Sequence, residues 1–311
     1  MIVTQLFGVK DYSNTIRGSQ RRSYKNFLSV LEKIISFLVS NSLFIALVCV
    51  FLTYTSFEFL NVQPNVVLLF AVFLSTFSIY SLNRLTDMEE DLINAPEREV
   101  YVKGKEKTLL ALCILSYGVA LLLGFLVKPE SILVLLFPLF IGVLYSMEFS
   151  RNIPRLKNIS GMKNISVSLS WTVGAVFLPL IFKYPGFLVI SLLFYFVFVK
   201  CLVDTISFDI RDIEGDKKSG VKTIPVLLGR SKTRLLLLGV QSTLIIWLSV
   251  AILKGVFVHY WLIFAFSIIY GYWLIQYFSK DRKLKVFSRD LFVDGEWMIL
   301  AALCFMINIH F

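Results

Sequence analysis

Nine apolar runs, each close to the roughly 20 residues that cross a lipid bilayer, occupy 34–57, 66–82, 109–127, 131–147, 166–183, 187–206, 235–253, 257–278 and 291–310. No water-soluble core absorbs that much apolar length. Of the 311 residues 57% are hydrophobic and 17% charged, against about 25% charged in an ordinary globular domain. The pattern predicts an all-α, polytopic membrane protein with nine transmembrane helices in one domain over 34–311. A polar tail over 1–33 precedes it, with six Lys and Arg and no long apolar run, so no cleavable signal peptide is expected. Residues 24–34 of that tail read as an interfacial amphipathic helix. Cys49, Cys113, Cys201 and Cys304 are dispersed inside apolar runs and read as small core hydrophobes, with neither disulfide nor metal-site spacing.

Charge sets the orientation. The tail and the loops at 83–108, 148–165, 207–234 and 279–290 hold 27 of the 31 Lys and Arg; the alternate connections hold Lys128, Lys183 and Lys254, and Lys200 lies within a span. Basic loops stay on the cytosolic side, so the N-terminus and the polar loops are expected there. The net charge of +10 is a topology signal. It is spread over five segments, forms no compact basic patch, and excludes nucleic acid as the expected partner. Membrane lipids are the expected surroundings.

Two of the cytosolic segments are rich in acids. "NRLTDMEED" places Asn83, Asp87 and Asp91 four residues apart at the end of the second span. "DIRDIEGDKKSG" places Asp209, Asp212 and Asp216 three and four apart beyond the sixth. On a helix these spacings put the side chains on one face, where like charges repel. A divalent cation relieves that repulsion. Hard oxygen ligands select Mg²⁺, which is commonly held by one or two carboxylates together with substrate phosphates. Two such clusters on one side of a membrane suit a diphosphate clamp. Arg84 and Arg98 near the first, and Arg211, Lys217, Lys218 and Lys222 near the second, are positioned to neutralise a leaving group. Asp290, Asp294 and Glu296 form a third acidic group, which reads as a helix start with acids at the positive end of the dipole. Lys200 and Asp204, four apart near the end of the sixth span, read either as a self-satisfying pair or as a lysine reaching toward a site. Neither His259 nor His310 lies near the acidic segments.

The two acidic segments, in this order and topology, resemble the NxxxDxxxD and DxxDxxxD motifs of the UbiA superfamily of intramembrane prenyltransferases. The likeness runs on through "INAPER" after the first motif and "VKTIPVLLG" after the second. The resemblance implies nine helices around a central cavity, with the motifs under a cytosolic cap. It also implies Mg²⁺-dependent transfer of a prenyl group from an isoprenyl diphosphate, such as geranyl or geranylgeranyl diphosphate, to a lipophilic acceptor. By the motif match Asn83, Asp87 and Asp91 would bind one metal ion, and Asp209, Asp212 and Asp216 another. Catalysis would centre on Asp87, Asp91, Asp212 and Asp216. Lys157 or Lys163 would grip the diphosphate, with Arg84, Arg98 and Lys222. Tyr145 and Ser146 would lie near diphosphate and acceptor, and Asn41 would line the cavity. The acceptor is expected to be an aromatic quinone precursor or a glyceryl phosphate ether lipid. The alternative from another class is a transporter or cation channel that uses the carboxylates as an ion path.

Overall fold

A computed structural model describes residues 26–27, 29–30, 34, 37–39, 41–86, 88, 102–146, 156, 159–218, 220–279 and 286–310. Among these residues the secondary structure is entirely helical. The main helices are α1 (Leu43–Phe59), α2 (Val66–Thr86), α3 (Glu106–Val127), α4 (Ser131–Ser146), α5 (Met162–Leu180), α6 (Phe187–Lys218), α7 (Ile224–Leu253), α8 (Trp261–Phe278), α9 (Val286–Val293) and α10 (Glu296–His310). Among the described residues, most of each of the nine apolar segments is helical. Within the tail, positions 26, 27, 29, 30 and 34 are helical and exposed; residues 1–25 lie outside the described residues.

Among the described residues six helical stretches are long and apolar enough to cross a membrane, and α1 and most of α4 are shorter apolar helices. The exception is α5. It carries Asn164, Ser166, Ser168, Ser170 and Thr172 in its first half, which lowers its apolarity and marks it as a helix facing something polar. Outward positions on the other helices are apolar, with Ile114, Leu126, Leu133 and Ile269 more than 60% exposed. Water would penalise such a surface, and lipid does not.

Neighbouring helices close a ring. α1 packs on α2 and α10, α2 on α3 and α4, α4 on α5, α5 on α6, α6 on α7, and α8 on α7 and α10; α1 also reaches α5. At the centre Phe196 and Phe264 meet edge to face at 4.8 Å between ring centroids, with Trp247 5.1 Å from Phe196 and Phe59 4.4 Å from Phe264. This aromatic plug fills one part of the bundle and leaves space near the other ends of α2 and α6. Where α7 and α8 approach, Gly271 has no Cβ to clash with Gln241, whose amide donates 3.0 Å to the Ile268 carbonyl. α7 turns sharply at Gly229, whose φ of +74° is open to glycine at little cost.

α6 has 32 residues, about 48 Å at 1.5 Å per residue. It outruns a bilayer core of about 30 Å, so its last third carries Asp209, Asp212 and Asp216 beyond the apolar part. Deeper along the same helix Lys200 is fully buried and pairs with Glu296 of α10 at 2.8 Å. Its ammonium also donates to the Ser267 carbonyl at 3.3 Å, while the Ser267 hydroxyl donates to Glu296 at 2.5 Å. The partner of Lys200 is thus a residue on a third helix, and neither sequence-based reading of Lys200 named it. Lys200→Met is expected to lower stability by about 3–5 kcal/mol, because it strands a buried carboxylate. Lys200→Met combined with Glu296→Leu should recover much of that loss in detergent unfolding curves. A single variant as stable as the parent would contradict the pairing.

Candidate active site

The space left by the aromatic plug is a cavity of about 260 Å³. Its wall includes Phe44 and Ile45 of α1, Tyr80, Asn83 and Arg84 of α2, Tyr145 of α4, and Lys163, Asn164, Val167 and Trp171 of α5. α6 adds Asp204, Asp209, Arg211 and Asp212; Asp290, Asp294 and Trp297 come from the α9–α10 segment. The first and second acidic segments therefore meet: Asn83 from one faces the same space as Asp209 and Asp212 from the other. Asp87, Asp91, Arg98 and Lys157 lie outside the described residues, as does the side chain of Ser146.

Helical spacing explains the wall. On α5, residues 163, 164, 167, 171, 174 and 178 recur at three- and four-residue steps and form one stripe. Lys163 stands at its polar end, where its ammonium donates 2.8 Å to Asp209 and lies 4.0 Å from Asp216. Asn164 donates 2.8 Å to the second Asp209 oxygen. Asp209 is 3% exposed and Asp216 5%, so these carboxylates have given up most of their water, and burial of that kind is tolerated only with a partner. Lys163 is that partner for Asp209. One Asp216 oxygen, sealed from solvent, accepts no hydrogen bond. Arg211 pairs with both oxygens of the adjacent Asp212.

Arg84 is buried on the cavity wall, where its guanidinium donates 3.1 Å to the Val39 carbonyl and ties α2 to the segment before α1. Tyr145 is buried on the cavity wall. Two of the expected site residues lie away from this cavity. Lys222 is exposed and absent from the cavity wall, because the chain turns after α6 and points it outward. Asn41 lines neither cavity; its side chain accepts 3.2 Å from the Leu43 amide, so it occupies the start of α1, where an orphan N–H needs a partner.

A second space of about 120 Å³ adjoins the first. The two share Tyr80, Asn83, Tyr145, Val167 and Trp171. Beyond them the second is lined mainly by apolar or small residues, among them Val72, Ile79, Leu135, Pro138, Gly174 and Leu178. At the junction Trp171 donates 2.8 Å to the Tyr80 hydroxyl, with the rings at 89° and 6.1 Å between centroids. The site thus has a charged chamber and a greasy one that adjoin at Tyr80 and Trp171.

The third acidic group is also part of the wall. Asp290 and Asp294 are 5% and 9% exposed and face the cavity. Glu296 does begin α10, but its charge is spent on Lys200. The signal available in the sequence was the four-residue spacing of the two aspartates next to an apolar helix. Trp171 had a weaker signal, a lone indole on the serine-bearing face of α5.

The family model for the UbiA prenyltransferase family matches residues 42–295. The chain belongs to that family. Its relatives include the digeranylgeranylglyceryl phosphate synthases of Methanosphaera stadtmanae, 32% identical over 168 residues, and of Methanococcoides burtonii, 31% identical over 170. Each match takes in 53% of this chain, and 58% and 57% of the respective relative, so it spans less than two thirds of those proteins. A UbiA homologue from Archaeoglobus fulgidus, solved with GPP and Mg²⁺, superposes with a TM-score of 0.66 at 19% identity, over 88% of this chain and 98% of that one. That likeness establishes the fold. With its apolar helices, this UbiA family member is an integral membrane protein.

Lys163→Met is expected to lower stability by roughly 1–3 kcal/mol, because Asp209 loses its cation in a buried setting. Lys163→Arg should cost less. Thermal unfolding in detergent checks both, and an undiminished midpoint for the methionine variant would contradict the role given to Lys163.

Proposed function

We propose that this protein is a Mg²⁺-dependent intramembrane prenyltransferase. It would move an isoprenyl group from a diphosphate such as geranyl or geranylgeranyl diphosphate to a lipophilic acceptor. The observation that carries this reading is the joined pair of chambers, one rich in carboxylates and cations and the other apolar. A prenyl diphosphate has the same two halves. Family membership favours a transferase over the ion-path alternative. The favoured acceptor is a glyceryl phosphate ether lipid, the class in the name of the methanogen relatives. In this reading the chain crosses the membrane nine times, and its tail and charged chamber face the cytosol under a polar cap.

The oxygen donors fit a hard divalent cation. Among the described residues no three His, Cys, Asp or Glu side chains converge closely enough to hold a metal ion, so one or two carboxylates from the set Asp209, Asp212 and Asp216 would hold it, with substrate oxygens completing the shell. The orphaned, buried Asp216 oxygen is consistent with such a ligand. Asn83, Asp87 and Asp91 would hold a second ion. Bound Mg²⁺ supplies charge neutralisation at the diphosphate.

The chain's own groups supply the rest. Lys163, anchored on Asp209, and Arg84 present cations where negative charge accumulates on the leaving group. The apolar chamber takes the prenyl chain and keeps water from the allylic cation. Tyr80, Tyr145 and Trp171 at the junction offer aromatic surfaces to that cation.

The test is incubation of purified protein with labelled geranylgeranyl diphosphate, Mg²⁺ and a panel of acceptors. Labelled product from a glyceryl ether acceptor is expected, and its loss on chelation. Asp87→Ala and Asp212→Ala should each abolish turnover, by about 10³-fold or more, in protein that still elutes as a folded species. Near-normal rates in both variants would refute the site assignment.

A further inference from the structure

The greasy chamber has a floor. Its rim, shared with the charged chamber, is marked by Asn83 on α2, Tyr145 on α4 and Val167 on α5. Its far end is marked by Val72 on α2, Val134 and Leu135 on α4, and Leu178 on α5. On each of the three helices rim and far end lie eleven residues apart, about 16 Å at 1.5 Å per residue. Three walls thus stop at one depth. Val72, Leu135 and Leu178 are each less than 5% exposed and belong to the main hydrophobic core. One turn beyond Val72, Leu68 is fully buried in the same core, so packed side chains close that end.

Leu135 is held from behind. The Tyr117 hydroxyl of α3 donates 2.5 Å to the Leu135 carbonyl, which ties the backbone of α4 to α3 at this point. The leucine side chain leans toward α3, where Gly124 leaves it room. A Cβ at position 124 would stand 2.6 Å from Leu135 Cδ1 and 2.7 Å from the Ser131 hydroxyl oxygen. Carbon atoms in contact sit about 3.5–4.0 Å apart, so a methyl group there displaces the leucine tip. Behind that tip stand α3 and Ser131; the chamber is the open side. Gly124 itself is not on the chamber wall.

We propose that Leu135 and Leu178 set the greatest length of prenyl chain that this protein accepts, and that Gly124 sets the height of that floor by letting Leu135 lean back. This inference rests on the transferase reading above. An extended chain advances about 1.2 Å per bond, or about 5 Å per four-bond isoprene unit. With the reacting unit at the rim, roughly three further units reach the floor. Geranylgeranyl diphosphate is then the longest donor that fits, and a fifth unit meets the packed core.

The experiment measures Mg²⁺-dependent binding of four unreactive thiodiphosphates of increasing length: geranyl, farnesyl, geranylgeranyl and geranylfarnesyl. The full-length parent, Leu135→Ala and Gly124→Ala are compared in one detergent. Each protein's affinities are taken relative to its own geranyl value, so a difference in folded fraction cancels. The parent should bind geranylfarnesyl at least about 10-fold more weakly than geranylgeranyl, the lower end of what a single misfitting methylene does in an apolar pocket. Leu135→Ala should remove that step. Gly124→Ala should move it down, with geranylgeranyl weakened about 10-fold relative to farnesyl. Opposite signs separate a floor from a general loss of packing, and alanine favours helix over glycine, so α3 persists. A Leu135→Ala protein that binds no probe leaves the decision to Gly124→Ala. Three results overturn the floor and leave the transferase reading intact: a parent that binds geranylfarnesyl as tightly as geranylgeranyl, a probe-binding Leu135→Ala that keeps the step, or a Gly124→Ala profile that matches the parent. A parent that binds none of the four with Mg²⁺ sinks the transferase reading and the floor together.

Discussion

One helix carries charge through an apolar bundle, and the rest of the structure supplies partners for it. Along α6, Lys200, Asp204, Asp212 and Asp216 recur at multiples of four residues, with Phe208 at the missing step and Asp209 alongside. The series winds slowly around the helix, and four of its five ionisable members are buried. Unpartnered charges there would cost several kcal/mol each, so helices distant in sequence converge on them. α10 brings Glu296 to Lys200, and α5 brings Lys163 and Asn164 to Asp209.

The same series divides the interior by chemistry. Its outer third extends past the apolar length of the bundle, and in the proposed reading it would offer oxygen ligands to a polyanion. Its inner part runs toward the aromatic plug around Phe196, whose ring centroid is 6.4 Å from that of Trp297 on the cavity wall. To the side, past Tyr80 and Trp171, lies an apolar space suited to a hydrocarbon chain. The arrangement of helices, and no single motif, sets the charged space beside the apolar one, which is why the proposed substrate has a charged head and a lipid tail.

Much of the architecture was legible in the chain because membrane helices announce themselves by length and hydropathy. The described residues of the apolar segments are mostly helical, and the two acidic segments share a cavity through Asn83, Asp209 and Asp212. What local spacing does not encode is the rotation of each helix about its axis in the bundle. Asp290 and Asp294 read as acids at a helix start, yet they are buried in the cavity wall because the α9–α10 segment turns them inward. Lys222 read as a phosphate ligand and faces outward. Asn41 read as a cavity residue and instead satisfies an amide at the start of α1. Lys200 and Asp204 have the spacing of a self-contained pair, but Glu296, nearly a hundred residues away, takes the lysine.

The central claim is that acids from the end of α2 and the end of α6 act on one metal-bound diphosphate. Electron paramagnetic resonance of Mn²⁺, with geranylgeranyl thiodiphosphate present, tests this most directly. The expected result is stoichiometric Mn²⁺ uptake that requires the thiodiphosphate, with signals from two ions close enough to couple, and loss of that coupling when either Asp87 or Asp212 becomes alanine. Uptake indifferent to the thiodiphosphate, or coupling that survives both substitutions, would contradict the account.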